Sequence, residues 1–491
     1  MILRVVNHKF HYETENLCRV FFPYETIRVI NDESDETDDI TVVTSMSGEY
    51  VVGVSVNING TTGEKKKTVA DYDDCEREMA ILLFSLLSEI TGYVPKWGIL
   101  TGVRPSKLMN SLIKDYGDNG AKAYFTDKLM VCKNKTELAY SVAKAEEKIM
   151  SLSDEKSFSL YVSIPFCPTR CNYCSFVSHS IAQAKKLLPD YVENLCKEIK
   201  QTAEIANGLG LRLESIYWGG GTPTTLSAEM LERICAEINN DFDLSHLREY
   251  TIEAGRADTV TAEKLRVIKA AGVGRISINP QTFNDDVLKA IGRRHTVDDV
   301  VRVFNEAREL GFDNINMDLI AGLTDDTYES FCNSIDRAIS MNPENITLHT
   351  LALKRSSTIV THGVDVQSGE IANKMLEYAQ NRFYSEGYKP YYMYRQSRSL
   401  GNLENVGWCR DGFECLYNIF MMEECHTVLA VGAGAVTKLK DPNSRNIERI
   451  FNYKYPYEYN SRYDAIAERK DQIKEFYGKL RLEVAKWHTE L

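Results

Sequence analysis

No stretch of the 491 residues runs through about 18 uninterrupted apolar positions, so the sequence offers no membrane-spanning helix. Its first residues, MILRVVNHKFHYETENL, lack the apolar core and small-residue cleavage site of a secretory leader, and a cytoplasmic location is the expectation. Positive charge is also short: 58 Lys and Arg stand against 70 Asp and Glu, for a net charge of -12. A broad nucleic-acid footprint needs a basic surface, so no nucleic-acid partner is expected, while a local basic pocket for a carboxylated ligand stays open. Cysteine is not dense either. Of the 12 cysteines, nine (Cys18, Cys75, Cys132, Cys196, Cys235, Cys332, Cys409, Cys415 and Cys425) are scattered, which fits free thiols in a reducing compartment and excludes a disulfide framework. With 43% hydrophobic and 26% charged residues, the composition is that of a globular protein long enough for more than one domain.

What is present is patterned in three stretches. Residues 1–150 alternate strand-like runs with polar turns: MILRVV, CRVFF, and ITVVTSMSGEYVVGVSV, where Ser47, Gly48 and Glu49 can turn a hairpin. A helical run, DDCEREMAILLFSLLSEITG, ends at Gly92, the residue type expected where a helix stops. This predicts an N-terminal α+β domain, joined onward by a polar helix around residues 137–151. From Ser159 the pattern becomes strand, loop, helix, repeated, with strands expected at 160–164, 215–218, 250–253, 275–279, 314–320 and 345–351. Between them, VDDVVRVFNEARELG places Val297, Val300, Val301, Phe304 and Ala307 on one helical face. Such alternation implies right-handed crossovers and a parallel sheet, and six units instead of eight predict a partial (β/α)6 TIM-like barrel over 155–392. Residues 393–491 are expected to form a C-terminal capping domain. Its VLAVGAGAVTKL lacks the acidic follow-up of a dinucleotide site and reads as a packing turn.

In parallel α/β structures chemistry collects at the carboxyl ends of the strands. The distinctive motifs of this chain fall there: the cysteines after the first strand, GGGTP after the second, Glu253 at the end of the third, Gln281 after the fourth, and Asp318 within the fifth. The first motif, LYVSIPFCPTRCNYCSF, packs Cys167, Cys171 and Cys174 into eight residues with no fourth cysteine beside them. A zinc site closes with four ligands, and neither a second spaced pair nor a histidine pair is at hand. A catalytic thiol would use one cysteine and leave two unexplained. An iron–sulfur cube held by three thiolates uses all of them and leaves the fourth iron with an open coordination position.

CxxxCxxC after the first strand of such a barrel resembles the radical S-adenosylmethionine (SAM) superfamily. The resemblance implies a radical SAM barrel with a [4Fe-4S] cluster on Cys167, Cys171 and Cys174, SAM chelating the open iron, and a 5′-deoxyadenosyl radical formed when a cluster electron cleaves the sulfonium. The cofactor carries the hard chemistry and the protein orients it. LYVSIPFC, WGGGTPT, RISINPQTF, NMDLIAGL and GNLENVG, together with GVRPSKL at 102–108, are similar to the oxygen-independent coproporphyrinogen III oxidases, above all their HemZ-type branch. The likeness runs from Ser159 to around Lys440. It implies Tyr161 near the sulfonium and Glu253 at the ribose or amino acid end of the cofactor, the two expected catalytic positions. Tyr173, Gly220, Gly221 and Thr222 join them as cofactor contacts, and Gln281, Arg293 and Asp318 fall to a second cofactor or substrate region.

The implied reaction is oxidative decarboxylation of two propionates of coproporphyrinogen III to vinyl groups, giving protoporphyrinogen IX in haem biosynthesis. A substrate with four carboxylates calls for cations, and KRSS and YRQSR supply Lys354, Arg355, Arg395 and Arg398. No ferredoxin-like second cluster motif is present, so electrons are expected from a separate ferredoxin- or flavodoxin-type protein. The chain departs from the oxidases at one place, where they carry a further cysteine shortly after the third ligand and this sequence reads Ser175 and Phe176. That departure resembles haem-chaperone relatives, for which His349 or His426 is the candidate axial ligand. A radical methyltransferase acting on haem is the remaining alternative.

Overall fold

A computed structural model describes the chain except residues 32–35, 175–178, 354–367, 445 and 490–491, with 481–489 as backbone only. The chain divides into two units. The first comprises Met1–Lys144, Ser368–Asn373 and Met393–Asn405; the second comprises Ala145–Gln367, Lys374–Tyr392 and Val406–Leu491.

The first unit is built on five strands, β1 (Ile2–Val6), β2 (Arg28–Ile30), β3 (Ile40–Ser47), β4 (Val51–Ile58) and β5 (Thr61–Thr68), in the order β2-β1-β3-β4-β5. Alternation along β3 and β4 turns Val42, Val52, Val54 and Val56 into a core with Leu17 and Cys18 of α1 (His11–Phe21) and Met79, Leu83 and Leu87 of α2 (Tyr72–Thr91). The Asp71 side chain caps the first turn of α2, and Gly92, at φ 70°, ends it. CRVFF, expected as a strand, lies instead at the end of α1. The buried Thr14, Leu17 and Cys18 recur at helical spacing, a longer-range signal than the β-branched and aromatic content of five residues.

Lys135 and Glu404 form an ion pair inside this unit, both side chains almost wholly buried, and the Trp97 indole donates to the same carboxylate at 2.8 Å. Arg395 lies over the Trp97 ring and gives its guanidinium to the carbonyls of Leu100, Gly102 and Asn402. GVRPSKL and GNLENVG thus do structural work here, and 393–405 belongs with the amino-terminal residues instead of starting a capping domain at 393. Glu404→Ala leaves the Lys135 ammonium buried without its counter-ion and is expected to destabilise this unit by about 3–5 kcal/mol, read as a lowered urea midpoint.

Apart from residues 393–395 and 404–405 of two strands, the second unit holds an 11-stranded sheet, and it has a small side pair. Along the chain come β6 (Ser157–Ile164), the pair β7 (Phe166–Cys167) and β8 (His179–Ser180), then β9 (Arg212–Gly220), β10 (Glu249–Glu253), β11 (Arg275–Ser277), β12 (Asn314–Ala321), β13 (Asn345–Thr350), β14 (Lys389–Arg395), β15 (Glu404–Cys409), β16 (Thr427–Val431), β17 (Val436–Lys440) and β18 (Ile447–Phe451). The sheet order is β14-β15-β13-β12-β11-β10-β9-β6-β16-β17-β18. β6 and β9 to β13 are parallel neighbours, the six strands expected from the sequence. Strands from residues 406–491 extend this same sheet: β15 pairs antiparallel with β13, and β16 parallel with β6.

The glycine-rich turn between β16 and β17 explains the second join. A Cβ on Gly432 would lie 2.5 Å from the Ser163 carbonyl oxygen, and the Gly432 and Ala433 amides donate to Glu198 and to the Tyr191 hydroxyl. Only a residue without a side chain lets this turn rest on the end of β6. Glu198 also pairs with Lys470 at 2.8 Å in the same buried network. Among the described residues no helix is long and apolar enough to cross a membrane.

Candidate active site

β6 ends at Ile164 and hands the chain through β7 into the cysteine loop, at the carboxyl edge of the parallel strands. The loop is fastened at several points. Thr169 Oγ1 donates to the Gly292 carbonyl at 2.9 Å, the Asn172 amide to Ile291 O at 3.2 Å, and Asn172 Nδ2 to Ala290 O at 3.0 Å. Arg256 donates to Thr169 O at 3.1 Å and to its Oγ1 at 2.8 Å, while Asp258 holds the rest of the guanidinium. The Cys174 amide closes a turn on Cys171 O at 3.1 Å. Cys171 is buried, and Cys167 and Cys174 are half-buried.

Two groups flank the thiols. Thr222 Oγ1 lies 3.5 Å from Cys167 Sγ. Arg293 donates to Asn279 O at 2.7 Å and to the Tyr173 hydroxyl at 3.2 Å, and its guanidinium faces the Cys171 thiol. A fixed guanidinium there offsets negative charge gathered on the loop. The glycines of WGGGTPT brace the same strand: the Gly221 and Thr222 amides each donate at 2.8 Å, to Ile164 O and Phe166 O, and Gly220 turns at φ 104°.

Glu253, at the end of β10, lies over the Gly219 backbone, where an added Cβ would sit 3.2 Å from Oε1. Burial pushes its carboxyl up to about 7, with the neighbouring Asp318 adding to the shift and a 2.6 Å bond from the Tyr217 hydroxyl opposing it. Burial would also raise Asp318, but the His349 imidazole, 3.7 Å away, and the Asn316 amide, 2.8 Å away, hold its carboxyl below the usual range. One site therefore contains an acid kept ionised and another poised near neutrality, a pairing found where proton or charge placement matters. Gln281 sits in a left-handed turn at φ 70°. Its amide donates to Asp318 O at 2.8 Å and its carbonyl accepts from Ile320, which locks the turn onto β12.

The structure brings together Tyr161, Cys167, Cys171, Tyr173, Cys174, Gly220, Gly221, Thr222, Glu253, Gln281, Arg293 and Asp318 within the second unit. Of the expected substrate cations, Arg395 and Arg398 are described and both belong to the first unit. Arg395 is 3% exposed and bound to carbonyls in that unit, and Lys354 and Arg355 lie outside the described residues. His426 is buried against Phe420 and bonded to Ser159 at 2.8 Å, and its burial drives the imidazole pKa down to about 4. Sequence reasoning missed Tyr217, Tyr417 and Arg256. Tyr217 had a usable signal, since it stands two residues before Gly219 and so shares its face of β9.

Residues 161–338 match the model of the Radical SAM superfamily. Over 480 residues, 94% of this chain and 95% of the relative, the sequence is 34% identical to the oxygen-independent coproporphyrinogen-III oxidase-like protein HemZ of Bacillus subtilis. The chain belongs to the radical SAM HemN/HemZ-type family. It is also 40% identical over 197 residues to the heme chaperone HemW of Bacillus subtilis, covering 40% of this chain and 51% of that one. The solved structure of coproporphyrinogen III oxidase HemN from Escherichia coli aligns with a TM-score of 0.53 at 23% identity, over 66% of this chain and 73% of that one, a likeness of fold.

Radical SAM proteins use a [4Fe-4S] cluster and SAM, and this site suits both. Among the described residues no three His, Cys, Asp or Glu side chains surround a single-ion position. A cube takes one thiolate per iron and so draws on a wider loop such as 167–174, here flanked by a hydroxyl and a guanidinium. Beside it, the ionised Asp318 and the carboxyl of Glu253 over bare Gly219 backbone match a cofactor with an ammonium group and ribose hydroxyls.

Proposed function

We propose that the chain is a cytoplasmic oxidoreductase of haem biosynthesis that decarboxylates two propionates of coproporphyrinogen III to vinyl groups. The observation that carries this reading is the extent of the likeness to the oxidase-like HemZ, which spans 94% of the chain, whereas the heme chaperone HemW of Lactococcus lactis matches at 31% identity over 61% of it. In this reading Cys167, Cys171 and Cys174 hold the cluster, and Arg293 offsets its negative charge. Asp318 and Glu253 take the ammonium and hydroxyl groups of SAM, and the Tyr161 ring bounds the adenosyl side. When bound, the cluster and SAM supply an organic radical able to remove a hydrogen atom from a substrate carbon. The electron that starts each SAM cleavage comes from a separate ferredoxin- or flavodoxin-type carrier, and the electron left when the substrate loses a hydrogen atom and carbon dioxide passes to a one-electron acceptor of the same class.

A second reading, a haem carrier, draws on Ser175 and Phe176 standing where the oxidases resemble one another in having a further cysteine. One assay separates the two. Reconstituted without oxygen and given a reductant, SAM and coproporphyrinogen III, the chain is expected to release 5′-deoxyadenosine and carbon dioxide and to form divinyl product. Deoxyadenosine with all four propionates intact would sink the oxidase reading, and tight haem binding without turnover would favour the carrier.

A further inference from the structure

The first two residues offered for the cofactor, Tyr161 and Glu253, lie on different strands and yet share a neighbour. Tyr217 of β9 donates its hydroxyl to Glu253 Oε1 at 2.6 Å. Its ring stacks on Tyr417, with centroids 4.5 Å apart and planes at 18°, and Tyr417 stacks on Tyr161 at 5.8 Å and 14°. Tyr161 and Tyr217 are themselves 6.5 Å apart at 15°, so the three rings form one nearly parallel group.

The group is anchored from below. Tyr417 is the second residue of the helix Leu416–Glu423, whose Leu416 and Tyr417 amides donate to Glu249 at 2.8 and 3.2 Å, with the Cys415 thiol donating to the same carboxylate at 3.4 Å. Glu249 and Glu253 stand four residues apart on β10 and share a face. The contacts therefore close a circuit: β10 through Glu249 to the helix, through the rings of Tyr417 and Tyr217, and back to β10 through Glu253. Movement of Tyr217 would displace both a ring and a carboxylate.

We propose that Tyr217 is a positioning residue that sets Glu253 and Tyr161 together for SAM binding; this rests on the reading of those two residues as cofactor contacts. Its hydroxyl directs one carboxylate oxygen, leaving the other for the ligand, and its ring fixes the stack on which Tyr161 lies. The groups facing Glu253 are Tyr217 on β9, Arg275 on β11, Asp318 on β12 and His349 on β13, with Tyr161 and Tyr417 nearby. Of these, Tyr217 donates the bond that favours the charged carboxylate.

The test is SAM affinity as a function of pH, measured by equilibrium binding to the cluster-reconstituted chain, with visible absorbance and thermal unfolding confirming cluster and fold in each variant. Tyr217→Phe keeps the ring and removes the donor. Its affinity is expected to fall about tenfold near neutrality, and the midpoint of the pH dependence to rise by about one unit, since the carboxyl loses a partner of its charged form. Tyr417→Leu keeps the hydroxyl bond and removes the stack, and should weaken binding at every pH with the midpoint unmoved. Glu253→Gln separates the two ways of failing. If it weakens SAM binding while Tyr217→Phe changes neither affinity nor midpoint, the role of Tyr217 is overturned and the cofactor site stands; if Glu253→Gln binds SAM like the unmodified chain, the reading of Glu253 is wrong and the proposal falls with it.

Discussion

Replacing Cys171 with alanine is expected to leave a folded chain that holds no iron–sulfur cluster. The loop does not depend on that side chain for its shape, because its bonds run through Thr169 and Asn172 to residues 290–292, through Arg256 to Thr169, and through the Cys174 amide to a backbone carbonyl. Removing one buried sulfur should cost about 1 kcal/mol of stability, small beside a total of about 5–15 kcal/mol for a domain. The chemical loss is different in kind. Three thiolates are the fewest that leave one iron open for a substrate-like ligand, and two cannot hold the cube. Iron per chain and the visible absorbance of the reconstituted protein should drop to background, and reductive cleavage of SAM with them, while the thermal midpoint stays within a few degrees. An intact cluster in this variant would remove Cys171 from the ligand set. Arg293, which faces that thiol, would then lose its assigned partner.

The parallel sheet and the motifs at its carboxyl edge are legible because each rests on local pattern. Strand periodicity and helix spacing set β6 and β9 to β13 within a few residues, and the motifs that name Cys167, Glu253 and Asp318 lie at or in these strands. What escaped depends on partners far apart in the chain. Lys135 meets Glu404 and Tyr217 meets Tyr417 across two hundred residues or more, and no local window carries that information. The same reason moved the expected boundary at 393: Arg395 and Glu404 are ordinary surface-type residues by sequence, yet one fills its guanidinium with carbonyls of residues 100–102 and the other neutralises Lys135. CRVFF failed for the opposite cause, a window too short to tell a buried helix end from a strand. Charge alone does not mark an arginine as a substrate contact, since Arg395 is absorbed into a core by backbone carbonyls.

Gly221→Ala is expected to cost about 3 kcal/mol of stability and most of the cluster content, although the change adds a single methyl group. The new Cβ would stand 2.6 Å from Phe166 O, 2.8 Å from Phe166 N and 2.9 Å from Ile164 O. All three are backbone atoms, so no side chain can swing aside; the loop after β9 must withdraw from β7. Withdrawal breaks the bonds from the Gly221 and Thr222 amides to Ile164 and Phe166, and it takes the Thr222 hydroxyl from its place 3.5 Å from Cys167 Sγ. The strand carrying the first thiol would lose its brace. Gly208→Ala is the matched control, since that glycine lies inside the helix Leu188–Leu209 with nothing within 4 Å of an added Cβ. It should be neutral or stabilise by about 0.5–1 kcal/mol through better helix propensity. The comparison is read as thermal midpoint and iron per chain. If Gly221→Ala holds iron and melts like the Gly208→Ala control, the glycine run is not the brace of the cysteine strand, and its absence of side chains must serve the ligand on the other face of the loop instead.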